Sequence, residues 1–165
     1  AVTIAGVMGV PCETMREVLK TFKGVEHRIE TVRTVDGVTY INDSKGTNVD
    51  ASVQAVRAMK AGTVLLAGGY DKHCDFLPFA KEIKDSKIHT VVVLGDTADQ
   101  IEKALREVGF ESILRAGSFE EAVMLARSCA KPGENVLLSP ACASFDMFSD
   151  YEQRGRVFKE IVGRL

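Results

Sequence analysis

The sequence predicts an α/β fold of three layers, in which helices cover both faces of a mostly parallel sheet. Short, almost continuous apolar runs alternate with stretches of helical period, and this alternation is typical of buried parallel strands connected by helices. Two other apolar runs flank Asp36-Gly37, a dipeptide that strongly favours a two-residue hairpin. The hairpin predicts an antiparallel edge on the sheet.

The pattern of the first 23 residues predicts helical structure. Pro11 is a helix-start signal, and Gly24 suits the end of a helix. Between them lies an apolar stripe of helical spacing, formed by Met15, Val18, Leu19 and Phe22.

The hairpin and then alternating strands and helices follow. Ser118 and Glu121 form a capping box for one of these helices. We expect strands over 28–35, 38–41, 63–67, 89–94, 112–114 and 135–138, and helices over 50–59, 76–84, 98–108, 119–130 and from the last strand to residue 165.

Composition restricts the class of function. With 165 residues, of which 45% are hydrophobic, the chain can bury one full core. Its 21 basic and 23 acidic residues give a net charge of −2, so we expect no nucleic-acid partner. No apolar run reaches the roughly 20 residues of a membrane helix, and no signal peptide opens the chain. We expect a soluble cytoplasmic protein.

The four cysteines lie far apart and include no C-x-x-C pair. This spacing suits small core residues in a reducing cytosol better than disulfides. His73 and Cys74 are adjacent possible metal ligands without matching partners. We therefore expect no metal site.

Three polar loops each follow a predicted strand, at residues 41–48, 68–72 and 139–144. A polar, glycine-containing loop that opens a helix offers backbone N–H groups and a positive dipole end to an anion. In open parallel sheets, ligands bind beyond the carboxyl ends of the strands. The three loops therefore predict one composite site for an anionic ligand.

Individual side chains in these loops allow two interpretations each. Lys45 can contact a phosphate and Asp43 a sugar hydroxyl, but Asp43 and Ser44 can equally cap the next helix while Lys45 is solvated. Lys72, after two glycines, can bind a carboxylate or be an ordinary surface lysine.

Later residues carry similar alternatives. Ser144 can bind an anionic group or cap the last helix, and Phe145 and Phe148 are better explained as core. Arg154 is best explained as a buried pairing residue that anchors the last helix. The His27-Arg28 pair can contact a ligand, although such a pair normally lies on the surface.

The common nucleotide-binding motifs are absent. The sequence contains neither G-x-x-x-x-G-K-[ST] nor G-x-G-x-x-G. A chain that hydrolyses ATP or transfers a hydride by itself is therefore not expected. The site is expected to be shared with another domain.

Taken together, the loop motifs resemble the C-terminal domain of the Mur ligases, over essentially the whole chain and in the expected order. The similarity is greatest to the branch that adds D-glutamate. The motifs are Asn42-Asp43-Ser44-Lys45-Gly46-Thr47-Asn48, Gly68-Gly69-Tyr70-Asp71-Lys72, Ser139 to Asp146, Glu152-Gln153-Arg154-Gly155, and His27-Arg28-Ile29-Glu30.

The resemblance implies a division of the chain. Residues 27–165 would be a Rossmann-like domain that binds the incoming amino acid, and residues 1–26 a helical tail of the central ATPase domain. ATP, with Mg²⁺ bound mainly by that central domain, would phosphorylate the carboxylate of UDP-N-acetylmuramoyl-L-alanine. The amine of D-glutamate would then attack the acyl phosphate, in peptidoglycan synthesis. This chain would be monomeric and inactive alone.

The resemblance also implies ligand contacts by motif position. Lys72 would supply the catalytic charge, Asp43 would reach the ribose and Lys45 the phosphates, with Arg28 assisting from the hinge side. The D-glutamate carboxylates would contact Thr47, Lys72, Ser144 and Tyr151, and ATP would contact Arg28, Asp43 and Lys45.

Two alternatives remain. The equivalent domain of another Mur ligase or of a folylpolyglutamate synthase would share the architecture and select a different acceptor. A non-catalytic α/β regulatory module would need an acidic phosphoacceptor pocket, which is not evident after the first strand.

Overall fold

A computed structural model describes residues 1–22 and 24–165. Its helices are α1 Val2–Val7, α2 Cys12–Thr21, α3 Val49–Ala58, α4 Leu77–Lys84, α5 Ala98–Glu107, α6 Phe119–Cys129 and α7 Tyr151–Gly163. Its strands are β1 Glu30–Val35, β2 Val38–Asn42, β3 Thr63–Gly68, β4 Ile88–Leu94, β5 Ile113–Arg115 and β6 Asn135–Leu138.

The strands form one six-stranded sheet in the order β1-β2-β6-β3-β4-β5. β1 pairs antiparallel with β2, and the pairs from β2 to β5 are parallel. This confirms the predicted parallel sheet with its antiparallel edge. β6 lies between β2 and β3, so Leu138 is in register with Asn42 on one side and Leu66 on the other. The carboxyl ends of these three strands are therefore neighbours.

Two apolar cores lie on opposite faces of the sheet. Alternate residues of β3 point to different cores, with Leu65 packed beneath α3, α4 and α5 and Leu66 beneath α6 and α7. All six residues of β3 are buried, as expected for a central strand covered on both sides. The three-layer prediction is confirmed.

The hairpin turn has the backbone geometry that its sequence predicts. Asp36 and Gly37 have φ angles of 51° and 81°, as a type I′ turn requires. β1 begins at Glu30, later than the predicted residue 28, because His27 and Ile29 also have positive φ angles, 62° and 46°. An extended strand cannot include such residues.

The caps of α3 and α7 differ from those that the sequence predicts. The side chain of Asn48 caps α3 and that of Asp150 caps α7. Asp43, Ser44 and Ser144 are therefore not caps, and the interpretation of these residues as helix-capping groups was wrong.

The capping box of α6 is half formed. Ser118 Oγ accepts from Glu121 N at 3.2 Å, as predicted. The Glu121 carboxylate reaches one residue further, to Gly117 N at 2.8 Å. Both interactions satisfy N–H groups at the start of the helix.

The N-terminal helices lie apart from the two cores. α1 and α2 confirm the predicted helical stretch, but they contain no buried residue. Lys23, the expected end of that stretch, lies outside the described residues. None of the helices in the described chain is long and apolar enough to cross a membrane. Exposed apolar side chains of this segment are Val2, Ile4, Val7, Met8, Val10, Val18, Leu19 and Phe22.

The hairpin turn gives a stability prediction. A methyl group at Gly37 meets Pro132 Cβ at 3.0 Å and forces an L-residue to keep a φ of 81°. Gly37→Ala should lower the free energy of unfolding by about 1 to 2 kcal/mol, measured by urea denaturation. Gly163→Ala is the control, because a methyl group there would meet no atom within 4 Å apart from its chain neighbours and its own helix backbone. Equal losses of stability in both variants would contradict the account.

Candidate functional site

The three predicted polar loops meet at one edge of the sheet. They are loop β2–α3 (residues 43–48), loop β3–α4 (residues 69–76) and loop β6–α7 (residues 139–150). They follow the adjacent strands β2, β3 and β6. The sequence predicted that the loops share an edge, and the strand order makes them neighbours.

Backbone hydrogen bonds join loop β3–α4 to loop β6–α7. Gly68 N donates to Pro140 O at 2.9 Å, and Tyr70 N donates to Ala143 O at 3.0 Å. Gly69 lies between these bonds with a φ of 145°, and a Cβ there would be 2.3 Å from Ala143 O. Only glycine allows the two backbones to approach this closely.

The guanidinium of Arg154 fastens α7 to two of the loops. It donates from Nε to Ser44 Oγ at 3.0 Å and from a terminal nitrogen to Ser44 O at 2.8 Å. The other terminal nitrogen donates to Cys142 O at 3.1 Å and Ala143 O at 3.2 Å. Arg154 is 1% exposed, and burial lowers its pKa to about 10. The predicted anchoring role is confirmed, with carbonyl and hydroxyl oxygens as its partners.

A second buried network ties loop β2–α3 to loop β6–α7. Ser139 Oγ donates to Asp43 Oδ2 at 2.7 Å and lies 2.9 Å from Ser52 Oγ on α3. Ala141 N donates to the same Ser52 oxygen at 2.9 Å. A Cβ on Gly46 would lie within 2.9 Å of all three side chains. Any larger residue at position 46 would clash with these side chains, so the position requires glycine.

Asp43 is part of this network rather than a freely exposed acid. It is 4% exposed, and its second oxygen, Oδ1, accepts from Ile29 N at 3.2 Å. Burial raises the pKa of the Asp43 carboxyl, and the hydrogen bonds from Ser139 and Ile29 offset part of that shift. Both oxygens of the predicted ribose contact thus already have partners within the protein.

Lys45 is held by Tyr151, and the solvated-lysine interpretation was wrong. Lys45 is half-buried, its Nζ donates to Tyr151 Oη at 3.1 Å, and it lies 4.8 Å from the centre of that ring. Of the predicted site residues, these two contact each other through their side chains, and Thr47 N donates to Lys45 O at 2.8 Å. A pocket of about 200 Å³ beside them is lined by Arg28, Ile29, Asp43, Lys45, Gly46, Ala51 and Gln54.

The remaining predicted contacts lie on separate loops. Thr47 is half-buried on loop β2–α3, Ser144 is buried on loop β6–α7, and Lys72 is exposed on loop β3–α4. Within the described part of the chain, no hydrogen bond joins Lys72 to Thr47 or Ser144. The structure puts these side chains on neighbouring loops at the same edge.

The predicted cations share one electrostatic property. Across residues 1–22 and 24–165, Arg28, Lys45 and Lys72 form no ion pair with a carboxylate; eight other lysines and arginines also form none, and nine do. Those nine are Arg16, Lys20, Arg57, Arg106, Arg115, Arg127, Arg156, Lys159 and Arg164.

His27 is a buried residue of the site, and its expected surface position was wrong. It is 4% exposed, whereas Arg28 is exposed. Asn42 Oδ1 accepts from Ser44 N, so the Asn42 amide group donates to His27 Nδ1 at 2.9 Å. A Cβ on Gly155 would lie 2.2 Å from that nitrogen. The glycine inside the last helical pattern was the available signal for this close approach.

A fourth turn, after β4, supports the site and was missed. Thr97 Oγ1 accepts from Gly69 N at 3.1 Å and also lies 3.1 Å from Gly69 O. The Asp146 carboxylate packs against Gly95, where a Cβ would meet it at 2.3 Å. Burial raises the pKa of Asp146. The turn carries no recognised motif, so only the fold reveals its role.

The two phenylalanines of loop β6–α7 differ. Phe148 packs against Phe119 with ring centres 5.0 Å apart, as expected for a core residue. Phe145 is 62% exposed, and its ring lies in a T-shaped arrangement with that of Tyr70, with centres 6.0 Å apart. Its core assignment was therefore wrong.

The cysteines also divide. Cys142 is buried, and burial raises its pKa to about 11. Cys129 is half-buried, whereas Cys12 and Cys74 are exposed. The core interpretation therefore fails for those two.

One cluster in the described residues has the composition of a metal site, at Glu26, His27 and Glu30. Lys159 Nζ lies 2.9 Å from Glu26 Oε1 and 2.7 Å from Glu30 Oε1. The ammonium pairs with both acids, so the cluster is an ion-pair network.

The fold and site define an α/β domain in which three polar loops meet at one edge of a mostly parallel sheet. A family model described as "Mur ligase, glutamate ligase domain" matches residues 27–142. The chain therefore belongs to the Mur ligase family.

Relatives support this assignment. The UDP-N-acetylmuramoylalanine–D-glutamate ligase of Pelotomaculum thermopropionicum (strain DSM 13744 / JCM 10971 / SI) is 53% identical over 162 residues, which are 98% of this chain and 35% of that protein. The chain thus spans about a third of the length of this relative.

Solved structures share the fold at low identity. A MurF ligase from Thermotoga maritima in complex with ADP has a TM-score of 0.61 at 15% identity, covering 99% of this chain and 37% of that one. A bifunctional folylpolyglutamate synthase/dihydrofolate synthase from Yersinia pestis CO92 also has a TM-score of 0.61 at 15% identity, covering 92% and 34%.

The buried guanidinium predicts a large stability effect. Arg154→Met removes four hydrogen bonds and leaves carbonyl oxygens buried without donors, so unfolding should become easier by about 3 kcal/mol. Arg156→Met on the same helix should cost less than about 0.5 kcal/mol, because its ion pair with Glu152 is exposed. Urea denaturation measures both, and similar losses would contradict the anchoring role.

The buried Asp43 carboxyl predicts a pH dependence. Its pKa in the folded chain is above the ordinary 3.8, so the folded state holds the proton more tightly than the unfolded state. The stability it contributes is present below about pH 4 and is lost as pH rises through the raised pKa.

The test compares the wild type with Asp43→Asn by urea denaturation between about pH 4 and about pH 7. The wild type should lose stability relative to the variant as pH increases. A difference that is constant across this range, or of opposite slope, would contradict the assignment.

Proposed function

We propose that this chain is the amino-acid-binding domain of an ATP-dependent ligase that joins D-glutamate to UDP-N-acetylmuramoyl-L-alanine. The 53% identical relative, a UDP-N-acetylmuramoylalanine–D-glutamate ligase, supports this reaction. We propose that the domain acts with the remaining two thirds of such a ligase and is inactive alone. ATP chemistry favours a cytoplasmic location.

The observation that carries the proposal is the position of Arg28, Lys45 and Lys72, three cations that form no ion pair within the described residues. They border loops that follow neighbouring parallel strands. Cations without acidic partners at such an edge favour anionic ligands. D-glutamate has two carboxylates and ATP a triphosphate, so both substrates need this charge.

We propose that D-glutamate binds between loop β3–α4 and the other two loops. The Lys72 ammonium would neutralise a carboxylate, while the hydroxyls of Thr47 and Ser144 donate hydrogen bonds. Tyr151, at the first position of α7, would border the same ligand. Thr97 and the Gly69–Ala143 contact would fix the loop that carries Lys72.

The pocket beside Lys45 is our proposed nucleotide contact. Arg28 and Lys45 would meet phosphate oxygens at its rim. Asp43 lines the same pocket; a ribose hydroxyl that reaches it would add to the bonds that Ser139 and Ile29 already make. The Thermotoga maritima ligase, which shares this fold, has ADP bound, and this supports a nucleotide contact for the domain. Mg²⁺ would be held mainly by the rest of the ligase.

In the proposed reaction, ATP transfers its γ-phosphoryl group to the terminal carboxylate of the acceptor. The neutral amine of D-glutamate attacks the resulting acyl carbon and forms a C–N bond. The tetrahedral intermediate then breaks its C–O bond to phosphate, which leaves, and the amine proton is released. This domain contributes by positioning the amine and neutralising charge.

We further propose that residues 1–26 pack on the central ATPase domain and that residues 27–165 form the amino-acid-binding domain. The exposed apolar side chains of α1 and α2 support this division, because isolated surface helices rarely expose so many.

Lys72 gives the direct test of the proposed function. In the full-length ligase, Lys72→Ala should raise the KM for D-glutamate or lower turnover by about 100-fold or more, because an ion pair with a carboxylate is lost. Phosphate release at varied D-glutamate measures both parameters.

Lys60→Ala is the matched control, since this exposed lysine precedes β3 at the opposite end of the sheet. Wild-type kinetics for Lys72→Ala would remove Lys72 from the site. Phosphate release that depends on a different amino acid, or on a folate acceptor, would replace the proposed substrate.

A further inference from the structure

The environment of the Lys45 ammonium is unusual for a half-buried cation. Its Nζ donates to the phenol oxygen of Tyr151 at 3.1 Å and lies over the face of that ring. No carboxylate of the described residues pairs with it. The phenol therefore holds the ammonium in place without neutralising its charge.

The phenol that holds Lys45 is itself fixed from several sides. The Tyr151 carbonyl accepts from Ser44 Oγ at 2.7 Å, and Arg154 donates to that same Ser44 oxygen. The His27 and Tyr151 rings lie in a T-shaped arrangement, with centres 6.2 Å apart. The position of the phenol is therefore set by the network that anchors α7.

The direction of the hydrogen bonds is also determined. Tyr151 Oη lies 3.1 Å from Glu152 Oε1, and a carboxylate can only accept. The single phenol proton therefore goes to Glu152, and the oxygen accepts from Lys45. Lys45 uses one of its three N–H groups in this contact. The other two remain for a ligand in the adjacent pocket.

We propose that the Tyr151 hydroxyl is a positioning group for Lys45, which orients the ammonium toward the phosphates of the nucleotide. The inference rests on the proposed function and adds to it, because it gives Tyr151 a role in nucleotide binding separate from any contact with D-glutamate. Lysine loses much rotamer freedom when it binds. A phenol that holds Lys45 beforehand reduces that loss.

Tyr151→Phe in the full-length ligase tests this role, because it removes the hydroxyl and keeps the ring. The KM for ATP should rise about 5- to 20-fold, as expected for a lost hydrogen bond to a charged group. The KM for D-glutamate and the kcat should change less than about twofold. An unchanged KM for ATP, or equal increases for both substrates, would overturn the proposal.

Tyr40→Phe is the matched control. This substitution, like Tyr151→Phe, removes only a phenol oxygen. The Tyr40 side chain packs in the core beneath α6 and α7, away from the pocket. Its kinetics should equal those of the wild type.

A double-mutant cycle tests whether the effect passes through Lys45. Lys45→Met should raise the KM for ATP, and adding Tyr151→Phe to that variant should raise it no further. Additive effects of the two substitutions would overturn the inference, because Tyr151 would then act independently of Lys45.

Amine acylation separates this inference from the proposed function, since it requires no catalytic activity. Peptide mass spectrometry of the folded chain measures acylation of Lys45 relative to the exposed Lys60 and Lys131. Tyr151→Phe should raise the relative rate for Lys45 about threefold or more, because its amine is no longer held. An unchanged rate would overturn the contact. An absence of D-glutamate-dependent activity in the wild-type ligase would overturn the proposed function alone.

Discussion

Arg154 donates from a single buried guanidinium to two loops while its backbone belongs to a third element, α7. The planar fork of arginine suits this task, since its donors point in several fixed directions at once. The carbonyls of Ser44 and Cys142 would otherwise be buried without partners at this edge. Because α7 begins with Tyr151, the same anchor also sets the phenol that holds Lys45. The packing of α7 and the geometry of the pocket beside Lys45 therefore depend on the same guanidinium.

Close backbone approach is the second constraint on the site. Loop β3–α4 and loop β6–α7 can bridge at Tyr70 and Ala143 only because Gly69 has no side chain, and loop β2–α3 closes over Asp43 only because Gly46 has none. These glycines bring the loops together at the ends of β2, β6 and β3. The acidic and polar groups of these networks bond to one another, and Arg28, Lys45 and Lys72 form no ion pair in the described residues.

The polar residues within one motif have different physical roles. In Asn42-Asp43-Ser44-Lys45, the first three side chains bond to other parts of the protein, to His27, Ser139 and Tyr151. Lys45 is the member that retains donors for a ligand. A motif associated with ligand binding therefore consists largely of residues that build the loop, and burial distinguishes the two groups.

The sequence by itself determined the α/β class, the hairpin at Asp36-Gly37, the order of the elements and the three polar loops, because hydrophobic periodicity and turn chemistry are local properties. It also identified Arg154 as an anchor. Only the tertiary structure decided that β6 lies between β2 and β3, that His27 is buried beneath Asn42 and Gly155, and that Thr97 supports the second loop. These features depend on contacts between residues far apart in the chain, and local sequence patterns do not indicate which distant residues come into contact.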